Sequence, residues 1–358
     1  MDTKQYTNDA VELLEQLIKT PSVSRNEEDA ANVLSDFIGK WGMPCRRIGN
    51  NILIQEELDP EKPTLLLNAH IDTVKPVATW TRDPFTPTIE GDRLYGLGAN
   101  DCGGGLVSLL QVYRILREGQ GGASPYQTGY NLVYLASCEE EVSGANGFSL
   151  ALPELPKIDV AIVGEPTGMQ PAIAEKGLMV IDGVARGKSG HAAREEGINA
   201  IYEALDDLVW LRDYRFKKES ILLGSTKMTV TVLHSGTQHN VVPDECHFVI
   251  DVRTNEYYQN EYLFSFLQKK MKKCELKARS FRLSSSHIPL GHPLVQRSIK
   301  MGMCPFGSPT LSDQALMPFL SLKLGPGESS RSHSADEYIC ISEIEGAIET
   351  YLLLISNE

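Results

Sequence analysis

Residues 65–74 read Leu65-Leu-Leu-Asn-Ala-His70-Ile-Asp72-Thr-Val74. An apolar run ends in His-x-Asp, and the two polar positions are two apart. On a strand they share a face. In that arrangement a histidine can bind a cation while a carboxylate fixes its neighbour. Alone, the stretch reads more readily as a buried strand closed by a polar turn. The rest of the chain has to decide between the two.

With 358 residues the chain exceeds the usual single-domain range, so two domains are expected. Hydrophobic residues make up 42% and charged residues 23%, as in soluble globular proteins. The net charge of −13 argues against polyanionic partners such as nucleic acid. Seven cysteines without CxxC spacing fit a reducing cytosol better than a disulfide framework. The N-terminal residues lack a basic region followed by an apolar core. No run of about 18 apolar residues follows anywhere, so a cytoplasmic protein without a membrane span is expected.

Periodicity organises the chain. Val11, Leu13, Leu14, Leu17 and Ile18 predict a first helix, and Ser24-Arg-Asn-Glu27 looks like a capping box opening a second over 27–39. Strands are expected at 51–54 and 64–67, then a helix over 103–116 starting from a Gly-rich turn. The Gly-rich stretch 118–129 should be an exposed loop. Apolar runs at 131–136 and 159–163 read as buried strands. Strands alternating with helices give an α/β domain with a mainly parallel sheet. From Gly177 the order becomes strand 178–185, helix 198–211, strands 227–233 and 247–253, helix 262–274 and strand 275–283. That βαββαβ order is the ferredoxin-like sandwich. We therefore expect a discontinuous domain, 1–175 with 286–358, carrying an inserted domain, 176–285.

Further polar residues stand in telling places. Asp101 lies between glycines in Gly96-Leu-Gly98-Ala-Asn-Asp101-Cys-Gly-Gly-Gly105, just before a helix. Glu139-Glu-Glu141 follows a buried strand, where adjacent like charges are costly without a cation. Glu165 ends another apolar strand, and His333 stands in a loop ahead of the last helix. Each has an ordinary explanation on its own: a cap, an acidic loop, a strand-ending turn, an exposed histidine. Together they gather at the C-terminal edge of a parallel sheet, where such folds collect their ligands. Mixed nitrogen and oxygen donors suit zinc, with manganese or cobalt as substitutes.

These ordered motifs resemble the zinc amidohydrolases and peptidases related to carboxypeptidase G, aminoacylase, succinyl-diaminopimelate desuccinylase and acetylornithine deacetylase. The resemblance spans essentially the whole chain. The tail Leu324-Gly-Pro-Gly with His333-Ser-Ala-Asp-Glu-Tyr338 is most similar to acetylornithine and acetyl-lysine deacetylases. It implies that His70 and Glu165 bind one metal, that Asp101 bridges to a second, and that Glu141 and His333 complete the second. It implies Glu140 as general base, with Glu139 where the family has Asp, and Asp72 orienting His70. His191, in Gly187-Lys-Ser-Gly-His191, resembles a lid histidine that reaches across a homodimer to the partner's oxyanion. Asn240, Arg253 and Asp313 match substrate-holding positions. Two departures stand out: Cys102-Gly-Gly follows Asp101 where relatives often have Met-Lys-Gly, and Ser143 replaces a common glycine.

The function implied is metal-dependent hydrolysis of an N-acyl amino acid, with N2-acetylornithine deacetylation in arginine biosynthesis foremost. The alternatives are an N-succinyl-amino-acid desuccinylase, an N-acetyl-lysine or N-acetylcitrulline deacetylase, a dipeptidase, or a non-catalytic binding protein on the same fold.

Overall fold

A computed structural model describes residues 3–120, 125–194 and 196–357. The chain divides into two compact units. The first comprises Met1–Ile173, Ile288–Phe306 and Ser312–Glu358; the second comprises Ala174–His287 and Gly307–Leu311. The expected boundaries did not include that last segment. It joins the second unit because the Lys176 N–H donates to the Ser308 carbonyl (3.4 Å) and Gly307 lies against the Leu222 carbonyl.

The first unit is built on the strand Thr64–His70, all seven of whose residues are buried. It runs parallel to Asn131–Ser137 on one side and to Val160–Val163 on the other, with Leu320–Lys323 parallel beyond. Asn51–Gln55 and Arg46–Ile48 continue the sheet antiparallel past Asn131–Ser137, and Ala172 pairs antiparallel with Lys323. Alternation explains why the runs are apolar throughout. Leu65, Leu67 and Ala69 enter one core, which holds residues of the helices Lys4–Lys19, Gly104–Gln120 and Ile341–Ile355. Leu66 faces the other way, with Leu53, Val133, Leu135, Phe148 and Ala151. Each fully buried leucine contributes roughly 1.5–3 kcal/mol. Because the four central strands are parallel, their C-terminal ends lie on one edge.

Several local expectations are corrected. Ser24 and Glu27 do not form a capping box: the helix is Glu28–Lys40, without a side-chain cap. Glu27 is buried and accepts the Glu139 N–H (3.3 Å), while the Ser24 hydroxyl donates to Asp72 (2.7 Å). The third helix runs to Gln120, past the loop expected from 118, since Arg114 pairs with Glu118 one turn on (3.1 Å). Of the rest of that expected loop, residues 121–124 lie outside the described residues.

In the second unit, Gly177–Arg186, Ala200–Asp213, Lys227–Ser235, Glu245–Thr254, Asn260–Lys270 and Cys274–Ala278 follow in βαββαβ order. The four strands are antiparallel, and numbered along the chain they lie in spatial order 4-1-3-2, the ferredoxin-like arrangement. Its own core includes Met179, Ile181, Phe248, Ile250, Leu263 and Leu267. The last strand ends at Ala278, not 283: beyond it the Asn260 amide donates to the carbonyls of Phe281 and Leu283 (3.0 and 2.9 Å).

Candidate active site

Strand ends deliver the polar groups of the first unit. His70 closes its strand, Glu139-Glu-Glu141 follows Asn131–Ser137, and Glu165 stands two residues past Val163. His333 sits in the loop beyond Leu320–Lys323, and Asp101 in the turn Ala99–Gly103 that opens the third helix. The Asp101–Cys102 peptide is cis. Close backbone approach sets where Glu165 emerges: a Cβ on Gly105 would lie 1.6 Å from the Gly164 carbonyl oxygen.

His70 Nε2 faces Asp101 Oδ1 at 3.3 Å, Glu165 Oε1 at 3.4 Å and Glu140 Oε2 at 4.0 Å. His333 Nε2 faces Glu141 at 3.0 Å and Asp101 Oδ2 at 3.5 Å. Asp101 thus presents one oxygen to each histidine. The three glutamates diverge: Glu140 turns towards His70 and Glu141 towards His333. Glu139, in left-handed backbone, turns back to accept both nitrogens of Asn146 (3.1 and 2.8 Å).

So many carboxylates crowded out of water hold their protons tightly. Burial, then the Glu165 charge, holds Glu140 well above the usual carboxylate range. Burial and Asp101 push Glu165 up to about 8. Burial would raise Asp101 too, but the His70 bond and charge outweigh it and keep Asp101 low. Burial alone would lower His70; Cys102, Asp101 and Glu165 reverse the sign and raise it well above its ordinary value. Hydrogen bonding to Glu141 lifts His333 to about 9.

The donors fit divalent metal. Asp101, Glu141 and His333 each offer an atom within 4.8 Å of the others, as do His70, Glu140 and Glu141. Glu165 Oε1 is buried with no hydrogen-bond partner among the described residues, a costly state that a cation beside His70 would relieve. His70, Glu165 and Asp101 would hold one ion, and Asp101, Glu141 and His333 a second. Cys102 also approaches His70 and Glu165, but its thiol is pushed up to about 12 by burial and is engaged with the His70 backbone (3.1 Å).

Other expected roles change. His70 Nδ1 bonds the backbone carbonyl of Asp72 (2.8 Å), whereas the Asp72 carboxylate is 3.6 Å away. That carboxylate instead accepts the N–H groups of Glu140 and Glu141 (3.0 and 3.1 Å), so it holds the glutamate turn. Asp313, expected to hold substrate, is buried (3% exposed) and accepts the Ser137 hydroxyl (2.5 Å), while Ser312 caps its short helix. Burial raises Asp313 to about 6. In the second unit, His191 is exposed in a two-residue strand paired with Val241–Val242, and the Asn240 carbonyl accepts the Ala192 N–H (3.0 Å). Arg253 is not with them: it lies at the far end of Glu245–Thr254 and forks onto Asp251 (2.9 and 3.1 Å). Sequence reasoning missed Asn100 and Glu337. Their partners lie in a loop more than 220 residues away, so no local pattern marked them.

Fold and site define a metal-dependent hydrolase. The model of peptidase family M20/M25/M40 matches residues 66–357, and the chain belongs to that family. It is 29% identical to the acetylornithine deacetylase of Proteus mirabilis (strain HI4320), over 97% of this chain and 96% of that one. It is 30% identical to the acetylornithine deacetylase of Pectobacterium atrosepticum, over 92% of each. Among solved structures, aminopeptidase PepT of Bacillus cereus superposes with a TM-score of 0.78 at 17% identity, covering 98% of both chains. The Bacillus subtilis YXEP protein, described as a dinuclear metal binding peptidase, gives 0.75 at 15% identity and the same coverage. No helix of the described residues is long and apolar enough to cross a membrane.

Proposed function

We propose that the chain hydrolyses the N-acyl amide bond of an N-acyl amino acid, with N2-acetylornithine as the substrate. The observation that carries this reading is Glu140, with its side chain 10% exposed, beside two donor sets that share Asp101. The full-length likeness to acetylornithine deacetylases supports N2-acetylornithine as the substrate.

His70, Glu165, Asp101, Glu141 and His333 would hold zinc, with cobalt or manganese as substitutes. Bound ions would supply an acidified water and a Lewis acid for the acyl oxygen. Glu140 takes the water's proton at its carboxylate, holds it, and gives it to the departing amine nitrogen. Asp72 keeps Glu140 aimed, and His191 hydrogen-bonds the developing oxyanion in a partner copy.

The second unit supports a homodimer. Tyr202, Leu205 and Val209, at helical spacing, are 68%, 45% and 44% exposed, and Lys227–Ser235 is an edge strand carrying exposed Val232 and Leu233. Asn240 and Arg253 would hold the amino acid's polar groups; Arg253 would first have to leave Asp251.

The test is a side-by-side release assay on N2-acetylornithine, N-succinylornithine, N-acetyllysine, N-acetylcitrulline and a dipeptide, with added zinc or cobalt. Fastest release from N2-acetylornithine is expected. A higher kcat/KM for a succinyl or dipeptide substrate would replace this reading with a desuccinylase or dipeptidase.

A further inference from the structure

Two loops that carry metal donors are tied together by a reciprocal pair of side chains that the chemistry above does not use. Glu337 is 2% exposed, and its Oε1 accepts the backbone N–H groups of Asn100 (2.8 Å) and Asp101 (2.9 Å). Its own carbonyl accepts the Gly96 N–H (3.0 Å). In the opposite direction the fully buried Asn100 amide reaches into the other loop. Its Nδ2 donates to the Glu328 carbonyl (3.0 Å) and to Ser332 Oγ (3.2 Å), and its Oδ1 accepts the Glu328 N–H (3.1 Å). Gly327 has no side chain to obstruct this: a Cβ there would lie 2.2 Å from Asn100 Oδ1.

Asn100 adjoins Asp101, and its partner Ser332 adjoins His333. The brace therefore fixes the separation of Asp101 Oδ2 and His333 Nε2, 3.5 Å. His70 and Glu165 are held differently, by their own strands and by the Asp72 carbonyl. A buried carboxylate beside Asp101 is costly by like-charge repulsion and desolvation, which marks a geometric role rather than a stabilising one.

We propose that Asn100 and Glu337 are positioning residues that set the spacing of Asp101 and His333, and so the affinity of the Asp101–Glu141–His333 metal position more than that of the His70–Glu165 position, which has Asp101 in common. The inference rests on the two-position reading above. Supporting groups of this kind, which orient metal ligands, typically change affinity by roughly 10–100-fold when removed.

The test is a Co²⁺ titration of the metal-free protein, followed by visible absorbance and calorimetry, in wild type, E337L and N100S. The Glu337→Leu change keeps a similar size but removes the one oxygen that accepts both backbone N–H groups. One equivalent is expected to bind about tenfold or more weakly in both variants, and the other, which has Asp101 in common, to weaken less. The D336A variant serves as control. Asp336 is in the same loop but, among the described residues, bonds the Thr81–Arg82 segment (3.0 and 3.1 Å to the backbone), so it should leave both equivalents unchanged. Two unchanged equivalents in E337L and N100S, an equal weakening of both, or loss of the folded state in both variants would overturn the brace. A single equivalent in wild type would instead retire the two-position reading, and the brace would then stand or fall on whether that equivalent weakens.

Discussion

At the scale of the residue, the candidate donors were legible because each ends an apolar run or breaks a glycine turn. His70, Glu165 and the Glu139-Glu-Glu141 triplet announce themselves as charge where a core should continue. What supports them was not legible. Ser24, Asn100 and Glu337 act through groups far away in sequence, and such bonds leave no local pattern. Asp72 shows the gap best: the spacing to His70 suggested one partner, and the fold supplies another. In Asp72→Ala, the amides of Glu140 and Glu141 and the Ser24 hydroxyl lose their acceptor. Each unsatisfied buried group costs about 1–3 kcal/mol, so urea unfolding of the metal-free variant should show a loss of at least about 2 kcal/mol. An unchanged midpoint and slope would mean that Asp72 does not hold the turn. The charge cluster also makes a pH prediction. Glu165 rises from 4.5 to about 8 and His333 from 6.5 to about 9 on folding. For both, the folded state holds its proton more tightly, so the favourable contribution is complete at low pH and is lost as pH rises through these values. The melting temperature of the metal-free protein should fall from about pH 5 to about pH 9. Saturating zinc should abolish that slope and release protons on binding near neutral pH, which calorimetry in buffers of different ionisation enthalpy would detect.

At the scale of the element, long strands and helices read well because both faces of each central strand are buried and the runs are apolar throughout. The short strands Arg46–Ile48 and Leu320–Lys323 did not, since three or four residues carry too little pattern and neighbouring strands decide them. The length of the third helix was set by a pair, Arg114 and Glu118, that a glycine-based stop signal hides. Glycines sort sharply here by what surrounds them. Gly105 abuts the Gly164 carbonyl, so Gly105→Ala must push the helix from the strand that delivers Glu165. A loss of roughly 3 kcal/mol, at the upper end for overpacking, is expected together with weaker metal binding. Gly39, inside the helix Glu28–Lys40, is different: a Cβ added there would meet nothing within 4 Å. Gly39→Ala should therefore stabilise by about 0.5–1 kcal/mol. Equal midpoints for the two variants in denaturant would contradict this account of the helix–strand contact.

At the scale of the whole molecule, the α/β unit and the βαββαβ unit were both visible as a change in element order at Gly177. Their strand order follows from handedness and pairing rules once the elements are known. The fold therefore needed little beyond pattern. Under the proposed function, His191, which stands exposed and belongs to none of the candidate donor groups among the described residues, acts in a second copy. Glu140→Ala and His191→Ala proteins, each near-inactive, should on mixing restore roughly a quarter of wild-type turnover if subunits exchange, because half of the dimers then pair one of each and hold one complete site. No recovery, with dimers present in sedimentation, would place His191 in its own subunit's site or outside the chemistry. The most direct test of the central claim is steady-state hydrolysis of N2-acetylornithine by metal-loaded wild type and Glu140→Gln, with metal content measured on the same samples. The account predicts ornithine release by the wild type, a loss of at least about 10²–10⁴-fold in the variant, and equal bound metal in both. Near-normal turnover in Glu140→Gln, or no amide hydrolysis by the loaded wild type, would contradict it.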